Sequence, residues 1–247
     1  MSTTREELPA LAAALEGRSP EEIVGAIAPR FPGRIALACS FGAEDCVLVD
    51  VVARHRLPVE IFTLDTGFLF PETQVLWTRL EERYGVRIAA APAELPPLDR
   101  SAPPPWETDP DACCHARKVV PLRAKLGTLG AWVTGIRRDQ TPDRATAPVV
   151  EWDARFGLVK VNPLAAWTAA DVAAHVRRHE VPTNPLHERG YLSIGCAPCT
   201  SPVKPGEDPR AGRWRGREKT ECGLHVDRER PPEGQGSGAA ARGARRP

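Results

Sequence analysis

A unit that occurs twice near the N-terminus constrains the fold more than any other feature: a short apolar run, a turn, then a helix-period segment. Arg34 to Cys39 (RIALAC) has no polar interruption after its first residue and reads as a strand buried on both faces. The turn Ser40-Phe41-Gly42-Ala43 follows, and EDCVLVDVVARH then carries the helical period. The unit repeats as a strand at Val59 to Leu64, a loop Asp65-Thr66-Gly67, and a helix that Pro71 opens and that runs to Tyr84, with Gly85 as its stop. A third strand is predicted at Val86 to Ala90 and a fourth at Ala131 to Ile136. Strands alternating with helices predict an α/β fold with a doubly wound, mainly parallel sheet, which binds ligands beyond the carboxyl ends of its strands.

The rest of the chain hangs on that frame. A short helix over residues 5 to 16 precedes one that Ser19-Pro20-Glu21-Glu22 caps and that extends to about Phe31. Residues 91 to 111 hold seven prolines in twenty-one positions, which predicts a surface loop or lid without regular structure. A helix from Ala112 to Leu126 carries Cys113 and Cys114 in its first turn. Val149 to Trp152 and Leu158 to Val161 read as a small hairpin, and Thr168 to Asp171 caps a helix ending near His179. From Asp227 onward the Gly, Pro and Arg content without apolar periodicity predicts disorder. The expected organisation is N-terminal helices over 1–33, an α/β nucleotide- and cluster-binding domain over 34–205, a mobile catalytic segment over 206–226 and a disordered tail over 227–247.

Charge excludes some classes of function. Lys and Arg number 33 against 32 Asp and Glu, a net charge of +1, so no overall field draws the chain to nucleic acid or membrane, and any anion site must be local. No apolar run approaches the roughly 18 residues of a spanning helix. The N-terminal stretch has Glu6, Glu7 and Glu16 where a signal peptide is apolar, so a cytoplasmic location is expected.

Seven cysteines are too sparse in 247 residues for a disulfide-stapled scaffold, and their placing carries the information. Cys39 and Cys46 lie in apolar surroundings and read as small core residues. Cys113-Cys114 and Cys196-x-x-Cys199 give four thiolates in two pairs, the complement of an iron–sulfur cube or of structural zinc. Adjacent side chains on a helix diverge by about 100°, awkward for one zinc ion and feasible for two irons of a 4Fe-4S cluster. Cys222 stands alone in KTECGLH, with Lys219 and His225 three positions either side and Arg210, Arg213, Arg215 and Arg217 upstream. Cations lower a thiol pKa, which suits a nucleophile, although a lone surface cysteine is the plainer alternative. The Ser40 turn opens a helix where an anion can bind, but taken alone it reads better as a tight strand-to-helix connection that needs Gly42 for backbone freedom. Arg137, Arg138 and Arg144 past another strand end favour a bound phosphate- or sulfate-like anion.

Taken together, SFGAED (40–45), LDTGFLFPET (64–73), CCHARKVVPL (113–122), TGIRRDQTPDRA (134–145), VNPLAAWT (161–168), YLSIGCAPCT (191–200) and KTECGLH (219–225) resemble the assimilatory adenylyl-sulfate reductases, the cluster-containing branch of the sulfonucleotide reductase family. The resemblance covers about residues 34 to 226. It implies an adenine nucleotide α-hydrolase-like fold and reduction of adenosine 5'-phosphosulfate to sulfite and AMP, in sulfate assimilation toward cysteine. It further implies Cys222 as the catalytic nucleophile, an S-sulfocysteine intermediate, thioredoxin as reductant, and Cys113, Cys114, Cys196 and Cys199 as cluster ligands. Substrate contacts are implied for Ser40, Phe41 and Gly42 in the first motif, and for Asp65, Thr66 and Gly67 in the second. Lys118 would lie between cluster and substrate. Gly135, Arg137, Arg138 and Arg144 would line the site, with Arg210, Arg213 and His225 joining from the C-terminal side. One departure stands out: between Trp214 and Lys219 the chain is short and RGRE-like where the family is aromatic-rich. Homo-oligomerisation stays open. Two rivals share parts of the pattern. A cluster-dependent tRNA thiolation enzyme would carry an SGGxDS loop and a broad basic surface, and a metal-bound interaction module would have no use for Cys222.

Overall fold

The computed structural model describes residues 4–93, 95, 98 and 101–219. Its sheet has six strands in the order β3-β2-β1-β4-β6-β5: β1 Ile35–Ala38, β2 Glu60–Asp65, β3 Ile88–Pro92, β4 Ala131–Val133, β5 Val150–Asp153 and β6 Leu158–Val161. Every pairing is parallel except β5 with β6. The expected hairpin therefore exists, and its second strand also pairs with β4, which makes it part of the main sheet.

Period-two alternation distributes the strand side chains between two layers. Ile35, Leu37, Ile61, Val133, Val159 and Val161 face the larger core with helices α1 Leu8–Leu15, α2 Pro20–Ile27, α3 Ala43–Arg54, α4 Pro71–Tyr84 and, further along the chain, α8 Ala169–His179. Ala36, Phe62, Trp132 and Leu158 face a smaller core with Leu122, Leu126 and Leu129. That second face is covered by α7 Val120–Leu126, reached through α5 Pro105–Thr108 and α6 Pro110–Cys114. The apolar core strands thus take their places by being buried on both faces.

Local signals act where the sequence places them. Ser19 and Glu22 form a reciprocal capping box at α2, Thr168 and Asp171 another at α8, and Gly85 ends α4 in the left-handed region. Each such cap contributes about 1 kcal/mol. Two expectations are corrected. The proline-rich stretch is partly regular, because β3 extends to Pro92 and prolines sit at the first turns of α5 and α6, where their missing N–H costs nothing. The helix expected over Ala112–Leu126 is split, with a π-helical turn at His115–Val119 between α6 and α7. Among the described residues, no helix is long and apolar enough to cross a membrane.

Candidate active site

β1, β2 and β4 end at one edge of the sheet, and their following loops surround a cavity of about 430 Å³. After β1 the chain turns sharply because Phe41 takes a left-handed conformation, φ +63°. This sends its ring into the core against Trp77, centroids 5.7 Å apart, and leaves Ser40 and Gly42 on the cavity wall. Backbone strain of this kind persists only where surrounding packing holds it, here through a ring 1% exposed. Phe41 therefore acts through the turn it makes and does not line the cavity.

The Ser40 N–H and hydroxyl both donate to Asp45 Oδ2, each at 2.6 Å. Burial pushes the Asp45 carboxyl up to about 6, against the two Ser40 hydrogen bonds, which hold it down. A methyl at Gly135, just past β4, would overlap this carboxylate and Glu44 Cβ, so close approach is what requires glycine there. Glu44 accepts from Arg137 Nε at 3.0 Å and from Gln140 Nε2 at 3.1 Å, and Arg144 Nη1 donates to Gln140 Oε1 at 2.6 Å. The cationic loop after β4 is thereby locked onto the start of α3, with the Arg137 side chain almost fully buried.

Of the residues singled out in the sequence, Ser40, Gly42, Thr66, Lys118, Gly135, Arg137, Arg144, Arg210 and Arg213 all line this cavity. Arg138 does not: it forms a two-pronged pair with Glu16 at 2.7 and 2.8 Å and donates to the Ala147 carbonyl, so it ties the N-terminal helices to the domain. Asp65 and Gly67 also stay off the wall, the Asp65 carboxylate accepting from the Gly67 N–H at 2.9 Å to shape the turn after β2. Cys222 and His225 lie outside the described residues, as do the predicted tail and the end of the catalytic segment. Wall residues that sequence reasoning passed over include Glu44, Asp45, Gln140 and Gly195.

Next to the cavity lies a second, smaller pocket lined by Cys113, Cys114, Cys196 and Cys199 together with Phe68, Arg117, Lys118 and Trp214. Thr66 Oγ1 is 3.3 Å from Cys196 Sγ, and Arg117 reaches the Thr66 carbonyl at 3.0 Å while its guanidinium stands 4.4 Å from the Phe68 ring. Burial raises the Cys113 and Cys199 thiols above their ordinary range. The π-helical turn begins directly after Cys114, which changes how Arg117 and Lys118 project relative to the cysteine pair. Lys118 and Cys196 line both the pocket and the large cavity.

The C-terminal strap joins the two. Thr200 pairs with Arg213, the Ser201 N–H donates to the Gly212 carbonyl at 2.9 Å, and the Trp214 N–H donates to the Cys199 carbonyl at 3.0 Å. Further on, Arg217 reaches the Glu107 carbonyl at 2.9 Å. Lys219, its side chain buried, pairs closely with Asp111 and lies 5.2 Å from the Trp214 ring centroid. The described part of the expected mobile segment is thus fastened to the helix that bears the first cysteine pair.

The phosphoadenosine phosphosulfate reductase domain family matches residues 34–202. The adenosine 5'-phosphosulfate reductase of Halalkalibacterium halodurans is 41% identical over 86% of this chain and 94% of its own. The phosphoadenosine 5'-phosphosulfate reductase of Gloeobacter violaceus is 41% identical over 92% and 96%. A phosphoadenylyl-sulfate reductase from Candida auris, solved as a phosphate complex, superposes with a TM-score of 0.71 at 27% identity, covering 82% of this chain and 99% of that one.

Proposed function

The chain belongs to the phosphoadenosine phosphosulfate reductase family, oxidoreductases that act on a sulfur group, and from that premise we propose that it reduces adenosine 5'-phosphosulfate to sulfite and AMP in sulfate assimilation, with Cys222 as nucleophile and thioredoxin as electron donor. The observation that carries this reading is the shared wall: Lys118 and Cys196 line both the arginine-rich cavity and the four-cysteine pocket. An anion site beside a group of thiols fits a reductase of this family acting on a sulfo group.

The cavity supplies the electrostatics. Arg137, Arg144, Arg210, Arg213 and Lys118 face a space bounded by the Ser40 turn, and forked guanidinium groups match the geometry of phosphate and sulfate. Cys222 follows Lys219 by three residues in the chain. Lys219 is itself fixed on Trp214, a wall of the cysteine pocket. In the first step the Cys222 thiolate attacks sulfur and the bond from sulfur to the phosphate oxygen breaks. Its electron pair leaves with AMP, whose added charge the arginines and Lys118 stabilise. Cys222 then carries an S-sulfo group. A thioredoxin thiolate attacks Cys222 Sγ, sulfite departs with the electron pair of the S–S bond, and the second thioredoxin thiol resolves the mixed disulfide. The two electrons that end on sulfite are those thioredoxin gives up in becoming a disulfide.

The cysteine pocket fits an iron–sulfur cube better than a single ion. It offers four thiols from two separate segments. Cys113 and Cys114 are neighbours on α6, where adjacent side chains diverge by about 100°, which suits two irons of a cluster better than one ion. The surroundings also suit sulfur ligands: Thr66 Oγ1 lies beside Cys196, Arg117 and Lys118 stand close to the thiols, and the buried Trp214 Nε1 has no hydrogen-bond partner among the described residues. A 4Fe-4S cluster held by Cys113, Cys114, Cys196 and Cys199 would supply a fixed anionic charge and a covalent tie between α6 and the 196–199 loop. Relatives named for adenosine 5'-phosphosulfate stand at 41–47% identity and one named for the 3'-phosphorylated nucleotide at 41%, so overall likeness leans toward the former. The two cysteine pairs favour the form without a 3'-phosphate, and a cytoplasmic setting with reduced thioredoxin suits the chemistry.

The deciding assay is sulfite release from adenosine 5'-phosphosulfate with thioredoxin, on anaerobically purified protein carrying four irons per chain as a cube of this type requires. Equal or better efficiency with the 3'-phosphorylated nucleotide would remove the substrate assignment and leave the reductase. Stoichiometric zinc without iron would remove the cluster.

A further inference from the structure

We propose that Gly195 is a positioning residue for Arg213, leaving bare the backbone against which that guanidinium rests. The proposal rests on the reading of Arg213 as a ligand of the substrate anion. Gly195 has no left-handed backbone angle, so conformational freedom is not why glycine stands there. Its reason is a neighbour eighteen positions away: a Cβ built on Gly195 falls 2.6 Å from Arg213 Cζ and 3.0 Å from Nη1. Real Cβ atoms do not come so close to another heavy atom.

Other contacts fix the same head group. Arg213 Nη1 points at the Ile194 carbonyl at 3.4 Å, its Cζ stands 4.5 Å from the Trp214 ring centroid, and its backbone pairs with Thr200. The guanidinium is thus held against the peptide that leads into Cys196, on the wall of the cavity. Nearby Gly212 provides the contrast. A Cβ there would strike the Ser201 carbonyl, which is backbone in the strap and cannot yield without undoing it. At Gly195 the obstacle is the far end of a long flexible side chain. A methyl at 195 is therefore absorbed by displacement of the arginine head, with the fold intact and the anion ligand misplaced. Placement of Arg213 becomes a property of the loop that carries Cys196 and Cys199.

The test is a double-mutant cycle on the full-length, iron-replete enzyme, with adenosine 5'-phosphosulfate as substrate. Gly195→Ala is expected to raise KM about tenfold, the loss of one charge-assisted hydrogen bond, with kcat, iron content and melting temperature unchanged. Arg213→Ala should raise KM at least as much, and Gly195→Ala on top of it should add nothing. If the two substitutions multiply in full, Gly195 acts through something other than Arg213 and the proposal falls. It falls equally if Gly195→Ala leaves KM unchanged while Arg213→Ala raises it, or if Gly195→Ala fails to fold, since the strain would then lie in the backbone. An Arg213→Ala enzyme with normal KM would instead overturn the reading of Arg213 itself, and this proposal with it.

Discussion

Asp45 gives the sharpest physical prediction. Its carboxylate is buried at the base of the cavity, held by the Ser40 N–H and hydroxyl, and pushed up from an ordinary 3.8 to about 6. A raised acid pKa means that the folded state binds the proton more tightly than the unfolded chain does. Stability is therefore greatest below about pH 4, is lost as pH rises from about 4 to about 6, and stays at the lower level above that. The rise corresponds to about 3 kcal/mol at neutral pH, at about 1.4 kcal/mol per tenfold change in proton affinity. Asp45→Asn keeps the shape, and its amide oxygen can still accept from Ser40, while the buried charge is gone. The variant should melt at about the same temperature as the wild type near pH 3.5 and about 6 °C higher at pH 7.5, taking about 2 °C per kcal/mol for a chain of this size. Melting curves of both proteins across that range measure the difference, and all other titrating groups cancel in it. Parallel curves would refute the reasoning, because the carboxylate would then titrate alike folded and unfolded.

Cys222→Ser should keep iron and nucleotide binding but lose turnover, while wild type given substrate without thioredoxin gains about 80 Da, one SO3 group, on the Cys222 peptide; an adduct mapped to Cys39 or Cys46 would count against the mechanism. Cys196→Ser should lose iron on elemental analysis and melt lower, because one missing ligand frees the 196–199 loop from α6. Arg138→Ala should cost about 1 kcal/mol through loss of the pair with Glu16, and its KM for the nucleotide should equal that of wild type, since this arginine faces away from the cavity; a raised KM would return it to the site.

How far the sequence could be read depended on where each residue's reason lay. The strands, the caps at Ser19 and Thr168, the stop at Gly85 and the two cysteine pairs all follow from neighbours along the chain; the caps and the stop stand as read, the cysteine pairs line one pocket, and two strands differ in bounds, the third lying at Ile88–Pro92 and the fourth ending at Val133. Asp45 was illegible for the opposite reason. An acidic residue in the first turn of α3 looks like a solvated partner of the helix dipole. Only the fold shows it buried beneath the Ser40 turn and close against Gly135. Phe41 and Arg138 sit inside motifs whose other members reach the cavity. Each faces elsewhere because of a distant partner, Trp77 in one case and Glu16 in the other. The π-helical turn after Cys114 has no signature in HARKV, and it becomes visible only once α6 and α7 are both packed. Gly195 extends the same logic. In a sequence, glycine signals a turn, because that is its local use. Here its φ is ordinary and its purpose is to leave room for a guanidinium from the strap. Functional motifs thus name the groups that carry charge and nucleophilicity. The residues that aim those groups are set by long-range packing, and substitution experiments at Asp45 and Gly195 will measure how much of the activity depends on that aim.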